Sequence, residues 1–74
     1  MRVDRDQLEA LRLEAWEAGD LLQVAICELA LFGAEATEWA DAGTELAYLR
    51  DTGRTQAWAL GRCEAAIEAA RANT

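Results

Sequence analysis

Seventy-four residues are enough for one domain with a small core, because a chain this short buries only about 60% of its unfolded surface. With 53% apolar residues the chain is too hydrophobic to stay disordered, even at a net charge of −7. It contains no Pro, Lys, His or Ser. The missing histidine removes the commonest general base and metal ligand, and with it Ser-His, Cys-His and His-carboxylate catalysis.

β-Branched residues are confined to Val3, Val24, Ile26, Ile67 and the threonines, while Ala, Leu, Glu and Arg dominate. That composition predicts an all-α fold, a small compact bundle of about four short helices in a single domain spanning residues 1–74.

The first helix is expected over 5–18. Asp4 followed three residues later by Gln7 reads as a capping box, and Leu8, Leu11, Ala15 and Ala18 share one helical face. Gly19 can end that helix in a left-handed conformation, and Asp20 can cap the next. The second helix, 21–32, has only Gln23 and Glu28 as polar interruptions and is apolar nearly all round. Such a helix is central, with neighbours on several sides, or is half-covered by another subunit.

For the third segment, Gly43-Thr44 could end one helix and cap another, yet Ala36, Trp39, Ala40, Gly43, Leu46 and Ala47 fall on one continuous face, which favours a single helix over 35–50 running through Gly43. Asp51-Thr52-Gly53 forms the next turn. The last helix, 55–72, carries a stripe of Leu60, Cys63, Ile67 and Ala70. A second row of small residues, Ala57, Gly61, Ala65 and Ala69, is expected to admit a close helix contact within the chain or between copies.

No segment reaches the roughly 18 apolar residues needed to cross a bilayer, and the first six residues lack the apolar stretch of a signal peptide, so a cytoplasmic location is expected. Cys27 and Cys63 lie in apolar helical patterns and are expected to be reduced, small buried hydrophobes. No phosphate-binding glycine loop or calcium-loop pattern is present. No catalytic, cofactor-binding or metal-binding residue is therefore predicted, and the chain is not expected to be an enzyme.

Charge placement is more distinctive. Between Arg12 and Arg50 stand eight acids, Glu14, Glu17, Asp20, Glu28, Glu35, Glu38, Asp41 and Glu45, with no base among them. Such a field repels nucleic acid and attracts a basic partner surface. The bland alternative is a solvated acidic face. Trp16, Trp39 and Trp58 add side chains of a kind enriched at binding hot spots. Arg12 with Trp16, and Trp58 with Arg62, are four apart and can stack. Leu13 and Trp16 lie off the Leu8-Leu11-Ala15 face, so they either pack under the third helix or belong to an interface.

The pattern Gly19-Asp20-Leu21, Val24, Ile26-Cys27, Ala30-Leu31 and Gly33 resembles one found in short uncharacterised helical proteins encoded by phages and bacteria. That resemblance implies a phage or mobile-element context and no particular activity.

The expected function is a protein-interaction or self-associating accessory module. Trp16, Trp39, Trp58, Glu35, Glu38, Asp41 and Glu45 are the candidate contact residues. Its expected partners are a protein, basic where it meets the acids, and further copies of the chain, with no direct nucleic-acid binding and no membrane. The competing expectation is an acidic inhibitor that imitates nucleic acid in the site of a DNA- or RNA-processing enzyme.

Overall fold

The computed structural model describes residues 3–33 and 41–73. Among the described residues there are four helices and no strand: α1 (Arg5–Glu17), α2 (Leu21–Phe32), α3 (Thr44–Asp51) and α4 (Gln56–Ala72). The all-α bundle that the composition predicts is what forms.

Local chemistry places the first two helices. The Asp4 carboxylate accepts from the Gln7 backbone N–H at 2.8 Å, and the Asp4 N–H donates to Gln7 Oε1 at 3.0 Å, which completes the capping box. At the other end of α1, Gly19 takes φ +73°, a conformation that costs a glycine nothing. This lets the Gly19 and Asp20 N–H groups reach back to the carbonyls of Trp16 and Ala15, at 3.1 and 2.8 Å. Asp20 then caps α2 through the Gln23 N–H at 3.2 Å. Gln23 does not close a second box, because its amide donates to Cys27 Sγ at 3.4 Å instead.

Helix α2 is the centre. Seven consecutive residues, Val24 to Ala30, are buried, and α1, α3 and α4 all pack against it. A helix can be covered all round only when neighbours stand on several sides, so the near-absence of polar residues is explained within one chain. The remaining core comes from Leu8 and Ala15 of α1, Ala42, Leu46 and Leu49 around α3, and Ala59 and Cys63 of α4. The C-terminal end of α2 is closed by a distant residue, Gln56, whose amide donates to the Ala30 carbonyl at 3.0 Å.

Two packing expectations are corrected. The predicted 35–50 helix does not run through Gly43, which sits at φ +55°, ψ −118° as the residue preceding α3. Ala42 and Leu46 are both in the core, at 2% exposure each, and the break lets Asp41 turn back toward α1. A continuous helix would have fixed all three on one cylinder. The part of the prediction over 35–40, with Trp39, Glu35 and Glu38, lies outside the described residues. Leu49, buried beside Leu46, had not been placed on the third helix's inner face.

The second correction concerns α4. Ala57, Gly61, Ala65 and Ala69 are all exposed, and nothing lies within 4 Å of a Cβ built on Gly61. The small-residue row therefore makes no close helix contact among the described residues. Burial falls on Ala59 and Cys63 instead, because α4 presents that side to α2.

The break at Gly43 yields a measurable sign. Replacing Gly43 with Ala forces an L side chain into a positive-φ conformation, and about 1–3 kcal/mol of stability should be lost in a urea titration. Were the helix continuous at this point, the same substitution would stabilise it by up to about 1 kcal/mol.

Candidate interaction surface

On α1, Glu9, Arg12, Leu13 and Trp16 recur at three- and four-residue spacing and so share a face. Leu13 is 56% exposed and Trp16 49%, so neither packs beneath α3. Around the corner, Leu21 and Leu22 open α2 and are also exposed, ahead of the buried run that begins at Val24. Four of the five large exposed apolar residues among those described thus fall within residues 13–22, the fifth being Tyr48. Leu13 also lines an open groove of about 410 Å³ with Glu9, Arg12, Leu31 and Phe32. Glu17 and Asp20, both exposed, fall in the same stretch of sequence, whereas Glu14 lines the groove between α1 and α4.

Arg12 organises the acidic middle from its edge. Its guanidinium donates through Nε and Nη2 to Glu28 Oε2, at 3.1 and 2.9 Å, and through Nη2 to Asp41 Oδ2. Glu28 is fully buried, whereas the Asp41 side chain is 50% exposed. The expectation that the eight acids have no counter-charge is thus corrected for two of them. One base, just outside the acidic stretch in sequence, ties α1 to α2 and to the residue leading into α3. Glu28 Oε1 has no hydrogen-bond partner among the described residues, so Arg12 carries most of the compensation for a buried charge.

The predicted contact residues separate accordingly. Trp16 is at the exposed surface, and Glu45 is half-buried in the first turn of α3. Trp58 is half-buried against the core, with the Arg54 guanidinium 4.8 Å from its ring centre, so the neighbour that stacks on it is Arg54 and not the expected Arg62. Asp41 is committed to Arg12. Trp39, Glu35 and Glu38 lie outside the described residues. The exposed Leu21 and Leu22 had not been singled out as contact residues, whereas Leu13 had been read together with Trp16 as packing under the third helix or belonging to an interface.

A second open groove, of about 300 Å³, runs between α1 and α4 and includes Leu11, Ile67, Ala70, Glu14 and Arg71. No group of three or more carboxylates or cysteines gathers among the described residues in a way that could hold a metal ion. No helix among them is long and apolar enough to cross a membrane.

In the core, Cys27 and Cys63 are both free and fully buried, and the Cys63 thiol donates to Cys27 Sγ at 3.9 Å. That contact pulls Cys27 below the usual thiol range. Burial opposes the effect, and the Gln23 amide and Arg12 charge reinforce it. The same contact, with burial, pushes Cys63 well above that range.

Comparison with protein-family models, with curated proteins and with solved structures finds no match to this chain.

Proposed function

We propose that this chain is a protein-interaction module that binds through the α1–α2 corner. The observation that carries the reading is the exposure of Leu13, Trp16, Leu21 and Leu22 in one stretch of a chain whose other leucines are buried or half-buried. A small domain needs its large apolar side chains for its own core, and leaving four outside it is costly unless another surface covers them. Trp16 supplies the aromatic anchor such contacts favour, and Glu17 and Asp20 select the partner by charge.

Those acids also bear on what the partner is. A two-fold pairing of identical corners would bring like charges together, which opposes association. An apolar surface with Lys or Arg at its rim fits better, so a basic protein partner is favoured over a second copy. Imitation of nucleic acid asks for a long run of exposed carboxylates, and with Glu28 buried and Asp41 tied to Arg12 that reading has less support.

The test is a double substitution, Trp16→Ala with Leu22→Ala, at positions where truncation leaves the core intact. Helicity and the urea midpoint should stay close to those of the parent, while capture of a partner from host extract, or self-association seen by sedimentation, should be lost. Capture by the parent should weaken as salt rises if the acidic rim contributes. If the variant holds every partner as tightly as the parent does, the corner is not the binding surface.

A further inference from the structure

We propose that Cys27 and Cys63 form a modification site, where a disulfide closes within the folded chain when it meets a small hydroperoxide oxidant. The two residues are 36 apart in sequence and sit on neighbouring helices, α2 and α4, with their sulfurs 3.9 Å apart. They are the chain's only cysteines, so a single intramolecular connectivity exists. A disulfide bond is about 2.05 Å long, and rotation of the two thiols with a small shift of α4 must bring the sulfurs together by roughly 2 Å. Helix α4 has that freedom, since its face bearing Ala57, Gly61, Ala65 and Ala69 is exposed and packs on no other helix among the described residues.

The surroundings assign the order of events. Cys27 accepts hydrogen bonds from Cys63 and from the Gln23 amide, so its sulfur is the better placed to lose a proton and attack. The Cys27 thiolate attacks one peroxide oxygen and the O–O bond breaks. Hydroxide leaves and takes up the proton Cys27 released, forming water, and Cys27 becomes a sulfenic acid. The Cys63 sulfur then attacks Cys27 Sγ and displaces the second hydroxide, which leaves as water with the Cys63 proton. Two thiols lose two electrons, and one hydrogen peroxide becomes two waters. Burial of both sulfurs means that oxidant enters through local opening between α2 and α4, so the site responds slowly compared with an exposed thiol.

The experiment treats the reduced, full-length chain with hydrogen peroxide at neutral pH and follows intact mass, helicity and thermal melting. The expected product is monomeric and about 2 Da lighter. A peptide map should join Cys27 to Cys63, with unchanged helicity and a melting temperature raised by roughly 10 °C, because the bridge closes a long loop. Three results would each overturn the proposal. These are oxygen adducts in place of the 2 Da loss, covalent dimers as the main product, and a bridged chain that has lost helicity or melts lower than the dithiol form.

Discussion

Replacing Arg12 with Ala should cost about 3 kcal/mol in a urea titration, the lower end of what breaking a buried ion pair costs, because the Arg12 side chain keeps 28% exposure. A domain of this size is stable by only about 4–11 kcal/mol, so the variant should unfold at markedly lower urea. The loss comes from Glu28, not from Arg12 itself. With Arg12 gone, a fully buried carboxylate retains no hydrogen-bond partner among the described residues. Two further variants identify that cause. Replacing the pair together, Arg12→Met with Glu28→Leu, should recover most of the stability, since a well-packed apolar pair avoids the desolvation that the charges suffer. Asp41→Asn, which removes the exposed member of the group, should change stability by no more than about 1 kcal/mol. If Arg12→Ala and Asp41→Asn cost the same, Glu28 does not depend on Arg12 and the network has been read wrongly.

Leu49→Ala should be as damaging, at about 2–5 kcal/mol, because the side chain is 1% exposed and its removal leaves a cavity. Helix α3 has only eight residues, too few to be stable alone, and Leu46 and Leu49 are the two buried side chains by which it is held. The turn that follows is tied to the same residue. The Thr52 hydroxyl donates to the Leu49 carbonyl at 3.0 Å, and the Arg54 N–H reaches that carbonyl at 3.0 Å. Loss of the Leu49 anchor should therefore loosen the α3–α4 connection as well, visible as faster amide exchange in both. Leu13→Ala provides the contrast. It removes the same side chain from a position that is 56% exposed and should change stability by no more than about 0.5 kcal/mol. Equal losses for the two leucines would mean that Leu13 is a core residue, which would remove one support of the proposed binding corner.

Much of the helical framework was legible because it rests on contacts between near neighbours in sequence. Asp4 with Gln7, and Gly19 with Asp20, each act within a turn of the backbone, so residue type and spacing are sufficient. The burial of α2 was legible for a different reason, since twelve residues with two polar interruptions can be stable only when surrounded. Cys27 and Cys63 were read as buried from the same apolar context, but their mutual contact joins positions 36 apart and depends on how α4 lies on α2.

The third helix shows how pattern can mislead. Apolar periodicity ran smoothly through Gly43, yet smooth periodicity records only what a helix would present if it formed. Whether it forms there depends also on what Asp41 gains by leaving it, an ion pair with Arg12 of α1. The small-residue row on α4 misled similarly. Small side chains permit close approach, but a second helix has to be present, and α2 lies against the other side.

The sequence by itself determined the all-α class, the caps that begin α1 and α2, the central place of α2 and the absence of histidine or serine chemistry, all of which follow from composition and from contacts within one or two helical turns. Only the tertiary structure decided that α3 begins after Gly43, that Arg12 pairs with both Glu28 and Asp41, that Gln56 closes α2, and that the exposed apolar corner lies where α1 meets α2. Each of these turns on which surfaces of separate helices face one another, and that is set by the simultaneous packing of four helices around one small core.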